Sequence, residues 1–182
     1  MDIVSAGFND LTDGAGIDVY YVIDESAARH EVFGSDSAWN TWMDNHRHRT
    51  NGVPNMLNEF VYVSWVDIFT HRTTTLGLSH ACGASTAVEW IHARMPAGTN
   101  FSDVLAHTTA HELTHLIIDT INANGFDSGE HLDDPNENGT IGDADDERYL
   151  MSNHRTWIQR VAIIFSNPTR RQIDLTNKDS VE

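Results

Sequence analysis

One stretch limits what this chain can fold into more than any other: residues 104–122, which read as one long, uninterrupted helix. A turn at residues 96–100 precedes it, Ser102 or Asp103 is placed to cap its start, and Asn124-Gly125 ends it. The strongest strand signal lies earlier, at residues 59–69, where Phe60, Val61, Tyr62, Val63, Trp65, Val66, Ile68 and Phe69 crowd together. Residues 17–23 and 87–94 read as further strands, the first entered through an Asp- and Gly-rich turn at 10–16. Between them, residues 25–47 suggest a helix broken near Gly34, with Trp39 and Trp42 at i, i+3 facing a core rather than forming a binding platform. Asn51-Gly52 and Pro54 mark a loop. Strands therefore precede the main helix, and the expected class is α+β: a twisted mixed sheet, a backing helix and a helix that carries the site. No repeat or second domain is visible, so residues 1–182 are read as one domain, long enough for a proper core.

Charge narrows the partners. Twenty-seven acidic against eleven basic residues give a formal charge of −16. Such a surface repels nucleic acid and anionic membranes and suits a protein that binds cations. No apolar run approaches the roughly eighteen residues a membrane span needs. Met1-Asp2-Ile3-Val4 lacks the regions of a signal peptide; the expected location is nevertheless secreted or extracellular, with any export signal upstream of this numbering. Cys82 is the only cysteine, so no internal disulfide forms, and it is read as a buried, inert thiol rather than a switch with His80. His46, Arg47, His48 and Arg49 are read as a solvated helix end.

The long helix carries His111-Glu112-Leu113-Thr114-His115. Two histidines four residues apart project from one helical face, one turn apart, so both imidazoles can reach one ion at about 2.0–2.1 Å, as zinc requires. Glu112 sits beside them without pointing at the ion in the same way and is placed to take a proton from metal-bound water. A third ligand must complete the set. Asp119 and His107 stay near the same face, but a helix rises about 6 Å over four residues, so neither meets the same ion easily. Glu130 and His131, beyond the glycine turn, remain.

His131-Leu132-Asp133-Asp134-Pro135, followed by Tyr149-Leu150-Met151-Ser152, resembles the metzincin clan of zinc peptidases, in which a third ligand beyond the helix is followed by a methionine turn under the metal. The resemblance spans residues 105–153. It implies a metzincin-like fold, zinc held by His111, His115 and His131, Glu112 as general base, and Met151 as the turn methionine. It also implies hydrolysis of peptide bonds in a protein or peptide substrate by a monomer, with residues 84–94 as the sheet-edge strand that pairs with extended substrate. The chain departs from the clan pattern in having Ile118 and Ile121 where the clan has glycine and the third histidine, so the helix continues and the third ligand follows an insertion, as in leishmanolysin-like members. Asn153 replaces a tyrosine found in some members, leaving Tyr149 and His154 as candidates for transition-state stabilisation. A glutamate-ligand zincin using Glu130 is the alternative subclass, and a zinc- and calcium-stabilised binding module without catalysis the alternative class; the intact Glu112 argues against the latter.

Between His131 and Met151 lies a second cation signature. Asp134, Asn136 and Asn138 occupy positions 1, 3 and 5 of an EF-hand-type loop, Gly139 position 6, Thr140 the backbone-carbonyl position, and Asp145 the closing carboxylate. The aspartate at position 12 resembles dockerin loops more closely. Calcium is expected there, where it would steady the segment that carries His131.

Overall fold

The computed structural model describes residues 2–10, 16, 31–46, 62–72, 75–80, 83–123, 150 and 151. In chain order they form helix α1 (Asp2–Asn9), strand β1 (Val32–Phe33), helix α2 (Asp36–His46), strands β2 (Tyr62–Val66), β3 (Ile68–Phe69), β4 (Gly77–His80) and β5 (Gly83–Ala87), and helices α3 (Val88–Arg94) and α4 (Phe101–Ala123). The architecture is mixed α+β, as expected. The predicted strand at 17–23, the loop at 51–54 and Cys82 lie outside the described residues.

The main sheet has the order β2-β5-β4, with β5 parallel to β2 and antiparallel to β4. The predicted strand at 59–69 is divided at Asp67, a bend whose amide donates to Glu31 O (2.9 Å) and whose carbonyl accepts from Glu89 N (3.0 Å). That bend sends β3 to pair in parallel with β1, so Val32 and Phe33 are strand rather than part of the predicted helix. Helix α2 starts two residues beyond Gly34, where Ser35 caps it: Ser35 Oγ accepts from Ala38 N at 3.2 Å.

Two further expectations need correction. Residues 88–94 are helix, not strand. Their β-branched and aromatic content suggested a strand, but burial follows a helical turn: Ile91 is fully buried, and Arg94 lies 4.2 Å over the Trp90 ring, an i, i+4 contact only a helix provides. With Glu89 in the first turn and Arg94 in the last, the charges also suit the helix dipole. Consequently residues 84–94 are not a sheet edge: β5 is the central strand, and β4 stands at the end of the described sheet. The second correction concerns α4, which begins at Phe101 under the cap of Asn100, whose Oδ1 accepts from Ser102 N at 2.9 Å. Asn100 thus takes the role assigned to Ser102 or Asp103. The turn before it holds as read, with Gly98 at a φ of 89°, a conformation that favours glycine.

Alternate residues of the sheet face opposite layers. On one side, Val66 and Ala87 join Phe33, Trp39, Met43 and Phe69 in a buried cluster, with Trp42, Leu78 and Trp90 packed against it. Trp39 meets Phe69 edge-on at 6.2 Å and Phe33 lies 5.4 Å from Trp42, so both tryptophans are core residues, as their spacing predicted. Helix α4 covers the other side, across β5 and β4, and α1 packs against it with Val4 and Phe8 buried.

Candidate metal centre

Helix α4 runs without a break through residues 101–123, so the one-turn spacing of His111 and His115 is realised. Their Nε2 atoms lie 3.0 Å apart and their rings stand nearly perpendicular. His111 Nδ1 is 2.6 Å from the carbonyl oxygen of Leu150. A carbonyl can only accept, so Nδ1 carries the proton and the neutral ring presents a lone pair at Nε2. A lone pair aimed at a second imidazole nitrogen needs a proton or a cation between them. Two nitrogens bound tetrahedrally at about 2.05 Å would be ~3.3 Å apart, close to the observed separation. The separation is that of an N–H···N hydrogen bond from His115 to His111, and two nitrogens so placed could also share a zinc ion if a further ligand joined them.

The Leu150 carbonyl belongs to a fully buried turn with Met151. The resemblance placed a methionine turn beneath the metal; the contact observed is that of the Leu150 carbonyl with His111, from a turn that Leu150 shares with Met151. Among the described residues no third His, Cys, Asp or Glu joins His111 and His115 in a cluster. His131 and Glu130 lie outside the described residues, as do Tyr149, Asn153 and His154, the calcium-loop residues Asp134, Asn136, Asn138, Thr140 and Asp145, and the basic residues 47–49. His107, one turn before His111, is partly buried.

Glu112, the residue after His111, packs against β4. Its side chain is turned into the joint between α4 and β4 and is only 7% exposed. There it takes a hydrogen bond from the Ser79 side chain, and burial pushes its carboxyl up to about 8 against an ordinary 4.5. The carboxyl lies directly over Gly77: a Cβ added at that glycine would fall 2.7 Å from the Glu112 carboxyl carbon and 2.5 Å from its Cγ. Only a residue without a side chain leaves room for it.

Hydroxyl groups line the rest of this joint. Thr109 Oγ1 donates to Leu105 O (2.7 Å) within the helix and lies 3.2 Å from both Thr86 Oγ1 and the Trp65 indole nitrogen. On another face of α4, buried Thr114 Oγ1 donates to Ala110 O at 2.8 Å. These buried threonines are thus satisfied mainly by their own helix, one turn back. Gly77 and Ser79 were not anticipated. The signal available was a short strand, Gly-Leu-Ser-His, with its two smallest residues at alternate positions and so on one face.

Comparison of the chain with protein-family models, with curated proteins and with solved structures yields no match. Among the described residues no helix is long and apolar enough to cross a membrane.

Proposed function

We propose that this chain is a zinc-dependent endopeptidase of metzincin type, secreted, with His111, His115 and His131 as metal ligands and Glu112 as general base. The observation that carries the reading is the pair of imidazole Nε2 atoms 3.0 Å apart on one helical face, one of them fixed in its metal-binding tautomer by Leu150 O. The buried Leu150-Met151 turn against His111 supports the clan assignment within the α+β architecture. Calcium at Asp134, Asn136, Asn138, Thr140 and Asp145 belongs to the same reading.

A bound zinc ion supplies a Lewis acid that polarises a peptide carbonyl and makes water nucleophilic near neutral pH. The chain's own residues do the rest. His111 and His115 offer neutral imidazoles from adjacent turns. Glu112 accepts the proton of the attacking water as its oxygen bonds to the carbonyl carbon. That proton passes to the nitrogen as the C–N bond breaks, so the amine leaves neutral. In the metal-free chain burial keeps the Glu112 carboxyl protonated to about pH 8, so it serves as base only once a bound dication has favoured its carboxylate form. β4, the end strand of the described sheet beside Glu112, is where an extended substrate would add its backbone, taking the role assigned to residues 84–94.

The test is cleavage of casein or gelatin by the wild type, Glu112→Ala and His111→Ala, each with zinc content measured. Wild type should cleave, and Glu112→Ala should keep zinc while losing activity by about a thousandfold. His111→Ala should lose both. Equal activity in wild type and Glu112→Ala would remove the mechanism. A wild type that holds zinc but cleaves nothing would favour the binding module.

A further inference from the structure

Glu112 emerges from the one helix of the molecule that carries the two imidazoles, yet its carboxyl rests on a different element. β4 reaches it twice. At Gly77 the missing side chain opens the space the carboxyl fills, and two residues on, at Ser79, a hydroxyl donates to it. Alternate strand residues share a face, so these two contacts come from one side of one strand. The opposite side of β4 does different work, for Leu78 packs against the apolar cluster. The register holds the pair in place: Gly77 is opposite Thr86 and Ser79 opposite Ala84 on β5. A one-residue slip would present Leu78 to the helix and leave the carboxyl without a donor in a buried joint.

A general base must be held within a fraction of an ångström of the proton it takes, and a glutamate has three side-chain torsions to restrain. The His111–His115 pair restrains none of them. We propose that Ser79 is the positioning residue for Glu112 and that Gly77 is the space that makes this position possible, so that β4 sets the base while α4 sets the metal ligands; this rests on the hydrolase reading above. Ser79 touches neither metal nor substrate in this role. It acts through Glu112 alone.

The test uses the full chain with zinc bound and casein as probe, on wild type, Ser79→Ala, Ser79→Thr, Glu112→Ala and the Ser79→Ala/Glu112→Ala double variant. Ser79→Ala should lower kcat roughly 10- to 100-fold with KM and zinc content unchanged, since the base is misplaced while binding is intact. Ser79→Thr, which keeps the hydroxyl, should restore most of that loss. In the double variant the serine change should cost nothing further. Thermal unfolding supplies a readout independent of cleavage: Ser79→Ala should lower the Tm by about 2–4 °C in wild type and by less than 1 °C in the Glu112→Ala background. Wild-type kcat in Ser79→Ala overturns the proposal, and so does an equal Tm loss in both backgrounds, which would make the serine merely structural. If wild type itself does not cleave while the Tm coupling is present, the bond is real and the hydrolase reading has failed, taking the positioning role with it. Gly77→Ala should match or exceed the Ser79→Ala loss in kcat; a fully active Gly77→Ala removes the argument from space.

Discussion

The two faces of the three-stranded sheet differ in kind. Towards α2 the side chains are large and apolar: Val66, Phe33, Trp39, Met43 and Phe69 close around a shared core. The polar groups admitted there are paired among themselves. The Trp39 indole donates to Ser85 Oγ at 2.8 Å, and both Ser85 and Ser64 reach the Met43 sulfur, at 3.5 and 3.7 Å. Towards α4 the same strands present Trp65, Thr86, Gly77 and Ser79, opposite Thr109 and Glu112. That side holds an ionisable group with no basic partner among the described residues: burial dominates the raised Glu112 carboxyl, and a hydroxyl is the counterweight. On the packing face the buried serines are paired with each other and with Trp39, whereas the other face keeps a buried acid on the helix that bears His111 and His115. A buried acid of this kind is the feature that marks this face as the candidate for chemistry.

The largest effect that could break this contrast is Trp39→Ala. Trp39 is 2% exposed, and truncating a buried aromatic costs about 3–5 kcal/mol. Loss of its N–H leaves Ser85 without that donor, and Met43 without a packed neighbour. The Tm should fall by on the order of 10 °C in a chain of this length. Below that transition, zinc content per folded molecule should equal that of wild type. Loss of zinc well under the new Tm would show that the two faces are one cooperative unit rather than a platform and a site.

Glu112→Gln sharpens the contrast from the other side, with an effect of intermediate size and a defined pH signature. In the metal-free protein the folded carboxyl binds its proton up to about pH 8, whereas the unfolded one releases it near 4.5. The neutral acid is therefore compatible with folding below pH 4.5. As pH rises from there to about 8, the unfolded state is increasingly favoured by its ionised glutamate. Glutamine is neutral throughout. Metal-free Glu112→Gln should thus be more stable than metal-free wild type at pH 7.5, by roughly 4 kcal/mol at most, and unfold at the same temperature at pH 4. Zinc should narrow the gap at pH 7.5, because a nearby dication favours the carboxylate. A gap independent of pH would mean that Glu112 is not buried as an acid.

What was legible in advance follows from the range of the interactions concerned. The α4 helix, the His111–His115 spacing and the turn before it are local: a 3.6-residue period and a glycine with positive φ are written within a few residues of where they act, although the cap fell to Asn100 rather than Ser102 or Asp103. So is the core role of Trp39 and Trp42. The errors fall where distant residues decide. Val88 and Trp90 favour a strand by type, yet Ile91 is drawn into the core and Asp67 O holds the first turn, so the segment winds into a helix. Residues 2–9, with Ser5 and Gly7, carry little intrinsic preference for helix, and burial of Val4 and Phe8 one turn apart overrides it. The Gly77–Ser79 support for Glu112 was illegible for the same reason: it depends on which strand of the sheet lies under α4, and no local pattern states the order β2-β5-β4.

The smallest effect concerns what locks α2 in place over its face. Asp36, in the first turn of α2, takes a two-pronged ion pair from Arg72 and a 2.6 Å contact from His71 Nε2, which ties the start of the helix to the chain leaving β3. His71 Nδ1 lies 3.2 Å from Phe33 O, so both ring nitrogens face acceptors. The Arg72 guanidinium, and after it His71, hold the Asp36 carboxyl well below the usual carboxylate range. A lowered folded value contributes stability that is complete above the ordinary value of 3.8 and is lost as pH falls below it through the folded value. Asp36 and Arg72 are nearly half exposed, so solvent screens the pair and Asp36→Asn should cost no more than about 1 kcal/mol at pH 6. The cost should shrink as pH falls below 3.8, and shrink also in molar salt. If Asp36→Asn instead destabilised by several kcal/mol with no dependence on salt, the cluster would be a buried part of the α2-side core, and the division between packing face and chemical face would have to be redrawn around it.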